Sequence, residues 1–286
     1  MLKSKSSRWL AGPYLVWMAI FTVVPLFIVI WYAMTNADGQ FTFDNLTQIG
    51  RYSSVFARSL ILAAISTVIC LVMAFPVGYF LSRLRANKQH IMLMLIMLPM
   101  WMNFLLRTYS WMAILENNGL LNQLFRKIGL IALYNNIFGT DISFFRMINT
   151  QGAVVLGMVY NYLPFMILPI YSVIVKLDHS LIEAARDLGA NSVQVFRRVI
   201  LPLSLPGVLS GITMVFVPSV STFAISKMLG GGTEMLLGDL IEQQYMGGAY
   251  NPYLGAAISL VMMVIVVICM VVMNRFGEGE EQAVMM

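Results

Sequence analysis

Charge is what this chain has least of. Only 11% of its residues are Asp, Glu, Lys or Arg while 59% are hydrophobic, whereas a soluble domain carries roughly 25% charge. That composition argues against the one or two soluble domains that 286 residues would otherwise hold. Cysteine is nearly absent as well. Cys70 and Cys269 both fall inside apolar runs, so no disulfide framework or metal spacing exists and they do not report a redox compartment. The two histidines, His90 and His179, lie in separate loops without metal-ligand spacing and read as ordinary interfacial residues. A Ser-His-Asp arrangement would have to unite residues that nothing in the chain order brings together. No segment fits Gly-x-x-x-x-Gly-Lys-Ser/Thr, and no Gly-Lys pair occurs anywhere, which excludes nucleotide binding by a P-loop. Gly230-Gly-Gly232 is a flexible turn without the strand-before, helix-after context of a phosphate loop. The net charge of +5 does not point to nucleic acid, because the basic residues flank apolar segments rather than forming one patch.

What the chain does have is long apolar runs. A membrane span needs about 20 mostly apolar residues, and six stretches qualify, at approximately 10–34, 59–82, 91–115, 152–175, 199–224 and 253–274. Pro202, Pro206 and Pro218 interrupt the fifth, which neighbouring helices or water can accommodate. The first run follows Lys3, Lys5 and Arg8 like a signal peptide, but its apolar part is too long and no small-x-small site closes it. It reads as an uncleaved first span. With the N-terminus inside, eleven Lys and Arg fall on the cytoplasmic side and seven on the other, where they are spread over longer loops. Both termini are therefore expected in the cytoplasm. The whole chain reads as one membrane domain, 1–286, with no internal repeat or linker.

The spans hold almost no ionisable residue. A charge at mid-bilayer costs about 3 kcal/mol on insertion scales, and ion-coupled carriers usually show buried Asp, Glu or His along their ion path. Here the one candidate is Arg107, near the end of the third span, which either snorkels to the headgroups or lines a pathway. An active pump built on this chain would need its energy from another polypeptide. In the outer segment 116–151, Leu120, Leu121, Leu124, Phe125 and Ile128 recur at helical spacing with Arg126 and Lys127 opposite. That is a short amphipathic helix, lying on the membrane surface or packed on neighbouring spans. The segment 35–58 is polar and partly helical from Phe43. Gly207-Val-Leu-Ser-Gly211 allows close helix approach, within the chain more readily than at a dimer seam.

One polar stretch between the fourth and fifth spans, Ser180 to Pro202, has the punctuation of two short helices. Ser180 and Glu183 have the spacing of a capping box, so a helix is expected to start at Ser180. Gly189 can take the left-handed conformation that ends it after Leu188. Asn191 is placed to cap the next helix, with Gln194 reaching back. Leu181, Ala184, Ala185 and Leu188 share one helical face, where two alanines let a partner approach closely. Glu183 and Arg186 either pair with each other on a wet surface or leave Glu183 to a basic group on the partner.

The order Glu183-Ala-Ala, Gly189, Phe196 and Leu201-Pro202 resembles the EAA loop of the membrane subunits of ABC importers. The flanks Asn161 to Tyr171, Leu203 to Gly207, Phe104 to Trp111, Gly119 to Asn122 and Leu229 to Gly231 are similar to the polyamine branch of these permeases. Together they cover most of residues 100–250. One position departs: where the family often has a proline and an acid, this chain has Ser226-Lys227, which removes an acidic side chain from that point.

The resemblance implies an all-α polytopic fold of six transmembrane helices, the type I ABC importer (MetI-like) permease fold. Its core would span about 59–274, with an extra N-terminal span at 10–34 and a cytoplasmic coupling loop at 178–202. It implies a non-catalytic subunit in a bacterial cytoplasmic membrane, forming the path for spermidine or putrescine by alternating access. Its partners would be a second permease subunit, two copies of a cytosolic ATPase that uses ATP and Mg, an extracytoplasmic polyamine-binding protein and the lipid bilayer. No cofactor would be held by this chain and no nucleic acid bound. The ATPase-docking residues would be Glu183, Ala184, Ala185, Arg186, Leu188 and Gly189. For an alkylammonium substrate the candidates are the aromatics Trp101, Tyr109 and Trp111 and the acids Asp239 and Glu242, three apart if 235–246 is helical. Against this, aromatics belt both membrane interfaces and acids in outer loops are commonly just solvated. An iron or sulfate importer of the same class, an ion-coupled carrier acting alone and a membrane scaffold remain as alternatives.

Overall fold

The computed structural model describes residues 12–232 and 234–284. The described residues are overwhelmingly helical, with an isolated bridge between Thr35 and Phe41. The long helices are α1 (Gly12–Ala33), α2 (Ser53–Ser82), α3 (Ala86–Trp101), α7 (Gln151–Ile174), α9 (Ser192–Ser221) and α12 (Pro252–Val284). Shorter ones among the described residues include α4 (Phe104–Leu115), α5 (Leu120–Lys127), α6 (Leu130–Phe138), α8 (His179–Asp187), α10 (Ala224–Leu229) and α11 (Leu237–Met246). Five described stretches are long and apolar enough to cross a membrane, and a sixth if the bent pair Ala86–Trp101 and Phe104–Lys127 is one span.

That pair corrects the expected continuous third span. The chain turns by 87° between Trp101 and Phe104. Pro99 lies near the end of α3, and Met102 is extended. The Asn103 side chain then accepts from the Leu105 and Leu106 amides and starts a new helix. Apolar composition runs straight through this corner, so hydropathy alone does not mark it. Prolines leave a second signature. The π-turns at Ala19–Val23 and Phe196–Ile200 come just before Pro25 and Pro202. A proline ring removes one amide donor and pushes against the carbonyl four residues earlier, and the widened turn absorbs both effects.

By contacts the chain falls into two compact units, residues 55–239 with 267–286, and residues 1–54 with 240–266. In the larger unit α7 and α9 pack along their lengths. A Cβ on Gly207 would lie 2.7 Å from the Pro169 carbonyl oxygen, and one on Gly211 would lie 2.6 Å from the Met166 sulfur. The glycine pair thus serves approach within the chain, as its spacing predicts. One buried cluster joins Phe75 and Leu81 of α2, Met166, Ile170 and Ile174 of α7, and Val208 and Val215 of α9. A second gathers Leu62, Leu115, Val154, Met158, Ile225, Leu229 and Leu236. Segment 116–150 is held by Asn122, fully buried, which donates to the Glu116 and Phe145 carbonyls and accepts from the Phe145 amide. On α5, Leu121 and Phe125 are half-buried while Leu120, Leu124 and Ile128 are exposed, so the amphipathic face is divided between packing and surroundings.

In the smaller unit, Ala33 packs with Ala256 and Ala257 of α12, flanked by Leu46, Ile49 and Leu260. The Asn45 side chain donates to the carbonyls of Ala33 and Thr35, satisfying the end of α1. The segment after Phe43 is helical, as expected, over Asp44–Gln48 and a 3₁₀ turn, Ile49–Tyr52. Lys3, Lys5 and Arg8 lie outside the described residues.

Candidate functional site

The two-helix surface at 178–202 is built from its caps inward. The first helix begins at His179, not Ser180, and its cap is Asp178, whose side chain accepts from the Ser180 amide at 2.9 Å. The expected Ser180–Glu183 capping box is therefore replaced by an aspartate two residues earlier. This leaves Glu183 without a capping duty. At the other end the Ala190 amide donates to the Ala185 carbonyl and the Gly189 amide to the Arg186 carbonyl. With φ +81° at Gly189, this is a Schellman closure in the left-handed conformation that the glycine predicts. Asn191 and Gln194 form the expected reciprocal box at the start of α9, with bonds of 2.9 and 2.8 Å.

Between the caps, one face is fixed and the other bare. Ile182, Val195 and Ile200 are buried in the cluster with Leu81 and Ile174, and Ala185 and Phe196 pack on it. Phe196 also meets Phe75 edge-on at 5.3 Å. The turn beneath is fastened too. Gln89 donates to the Leu84 carbonyl and accepts from the Tyr171 hydroxyl, both within 3 Å. Leu181, Glu183, Ala184 and Leu188 are exposed, Leu188 to 90%. Of the four residues expected on one docking face, Ala185 thus turns inward, and the open stripe is Leu181, Ala184 and Leu188. No ion pair joins Glu183 to Arg186. The arrangement is a rigid platform: two capped helices clamped to the core, presenting two leucines, an alanine and a carboxylate.

The candidate substrate contacts lie on separate elements, α3, α4 and α11. Trp101 ends α3 and is 76% exposed. Tyr109 is exposed on α4, whereas Trp111 turns inward and meets Tyr160 edge-on at 5.3 Å. Asp239 is only 8% exposed and accepts from the Leu236 amide, as a residue at the third helical position reaching back to its cap. The Leu237 amide is taken by the Ser59 hydroxyl at 2.8 Å. Glu242 is half-buried one turn on, and α11 does place the two acids three apart as expected. A third acid nearby in the sequence, Glu234, pairs with Arg58 at 3.1 Å and accepts from Gln151.

Arg107, the one ionisable candidate read in the spans, is enclosed rather than snorkelling. It does not reach outward; it is 9% exposed and its Nε is buried without a hydrogen-bond partner. Asp178 was not singled out from the sequence, although an aspartate just before a polar helix is a recognised cap signal.

Comparison with known proteins sets this geometry in context. A protein family described as "binding-protein-dependent transport system inner membrane component" matches residues 74–278. The chain is 34% identical over 270 residues to the "spermidine/putrescine transport system permease protein PotB" of Haemophilus influenzae, covering 92% of this chain and 91% of that one. It is 35% identical over 267 residues to the protein of the same name in Escherichia coli strain K12, covering 91% and 93%. Among solved structures it resembles a bacterial ABC transporter involved in the import of the acidic polysaccharide alginate, with a TM-score of 0.77, 15% identity and 96% of both chains covered. At that identity the likeness speaks for the fold alone.

Proposed function

The chain belongs to the family of binding-protein-dependent transport system inner membrane components, and from that premise we propose that it carries spermidine and putrescine across a bacterial cytoplasmic membrane. As a member of that family it is a multi-pass transport subunit of an ABC importer and not an enzyme. The polyamine reading rests on one observation: likeness to the polyamine permeases extends over nine-tenths of both chains rather than one motif.

In this reading the 178–202 surface receives a cytosolic ATPase. Glu183, Ala184, Arg186, Leu188 and the Gly189 turn form the socket, with Ala185 fixing its inner face. A second, different permease completes the pathway, two ATPase copies bind and hydrolyse ATP with Mg, and an extracytoplasmic protein delivers polyamine. This chain itself holds no cofactor, and its N- and C-termini lie in the cytoplasm. What supports the socket is its construction. A carboxylate left without a capping role, beside exposed leucines on a clamped helix, suits a partner better than water.

Motion follows from the same construction. ATP-driven closure of the ATPase pair would push on α8 and the start of α9. Because Ile182, Val195 and Ile200 are buried with residues of α2 and α7, displacement of the socket moves those helices with it. A well-packed core transmits such shifts rather than absorbing them. Trp101, Tyr109, Trp111, Asp239 and Glu242 are retained as proposed polyamine contacts, Trp111 and Asp239 only in a state that exposes them.

The test is ATP-dependent uptake of radiolabelled spermidine and putrescine into proteoliposomes holding this chain, its partner permease and the ATPase, with binding protein on the substrate side. Uptake that needs ATP and competes with unlabelled polyamine is expected. Absence of polyamine uptake, with ATPase activity stimulated by another loaded binding protein, would keep the importer and remove the substrate.

A further inference from the structure

The smaller unit contains a cleft that the transport reading does not use. It has a volume of about 890 Å³ and lies where α1 ends and α12 begins, lined by Tyr32, Tyr245, Tyr250, Tyr253, Asn36 and Asn251 among others. Ligand pockets commonly measure about 300–1,000 Å³. Tyr32 and Tyr253, which both line the cleft, stack with ring centroids 5.3 Å apart and planes 25° apart. Burial and the neighbouring Tyr32 push the Tyr245 phenol up. A phenol is protonated at neutral pH in any case, so Tyr245 offers a ring and a hydroxyl, not a phenolate.

The asparagines frame this wall. Asn36 accepts from the Asp38 and Gln40 amides, and Asn251 accepts from the Leu254 amide, so their carbonyl oxygens hold the loops that carry the rings. None of the lining residues is charged. Two acids, Asp38 and Asp44, directly adjoin the lining residues Ala37 and Asn45 in the chain. An uncharged aromatic wall with carboxylates next to it in the chain offers an anion no partner. It attracts a cation that can surrender part of its water to ring faces.

We propose that this tyrosine cleft binds a primary alkylammonium group. Two sources carry that group, a free diamine or triamine and the headgroup of phosphatidylethanolamine. Both reach the cleft, because it sits at the ends of two membrane-length helices. The site is independent of the transport reading, which concerns the substrate moved and not this wall. Failure of polyamine uptake leaves it standing, and its own failure leaves uptake unaffected as an observation.

The test measures equilibrium binding of radiolabelled putrescine to the full-length chain in maltoside micelles, which carry no ammonium. Binding is compared with and without added phosphatidylethanolamine, with phosphatidylglycerol as the lipid lacking the group. Native mass spectrometry reads retained lipid. Two paired variants are used, Tyr250→Leu with Tyr253→Leu, and Tyr250→Phe with Tyr253→Phe. Saturable putrescine binding, about tenfold weaker in the leucine pair and within about twofold of wild type in the phenylalanine pair, supports the site with a free amine as source. Selective retention of phosphatidylethanolamine with the same variant pattern supports it with lipid as source. Binding of neither ligand overturns the proposal. So does binding that survives the leucine pair or is lost in the phenylalanine pair.

Discussion

Asp239 stands in the first turn of α11 and Glu183 just past the first turn of α8, yet the two carboxylates end in opposite situations. Asp239 is buried at the third position of α11 and bonded to the Leu236 amide. Glu183 lies on α8, whose first turn is already served by Asp178, and it stays exposed. The difference is where the cap falls. In this conformation a carboxylate near a helix start is available to a partner only if the backbone has not claimed it, because orphan amides at that end compete for any acceptor in reach. By this criterion α8 offers its acid outward and α11 spends its first acid on its own fold.

That contrast can be broken by substitution. The largest effect is expected from Glu183→Lys, which should bring uptake to background while the amount of protein in the membrane is unchanged; normal uptake with normal ATPase binding would end the docking reading. Asp239→Ala should act on stability instead, lowering it by about 1–3 kcal/mol through the unmet Leu236 amide. A thermal melt unchanged from wild type would show that the backbone does not need this acid. Gly189→Ala tests the turn that orients the socket. Nothing crowds a Cβ there, so the cost is conformational, about 1–2 kcal/mol for a left-handed alanine. The smallest effect on stability is expected from Glu242→Gln, within about 0.5 kcal/mol for a substitution outside the caps. If it carries substrate, the change should appear as a higher KM for polyamine with the melt unaltered.

Legibility followed the range of the interaction. Gly189, Asn191 and Gln194 were readable because left-handed turns and caps are decided within a few residues. The long spans were readable because length and hydropathy are local sums. Asp178 displaced Ser180 as the cap because the helix starts one residue sooner, and starts are the least sharply encoded part of a helix. Ala185 turned inward while Ala184 stayed out because of what lies beneath, Leu81 and Ile174, which no property of α8 reveals. The corner at Met102–Asn103 was hidden by apolar residues on both sides of it. The burial of Arg107 was hidden for a similar reason: whether a long side chain snorkels or is enclosed depends on neighbouring helices.

The most direct test of the central claim is photo-crosslinking from the socket itself. Leu188 and Ile182 would each be replaced by benzoyl-phenylalanine, one on the 90% exposed face and one on the buried face. With the assembled importer, the account predicts a covalent adduct of the ATPase from position 188 and none from position 182. No adduct at 188 in an importer that still takes up substrate would contradict it.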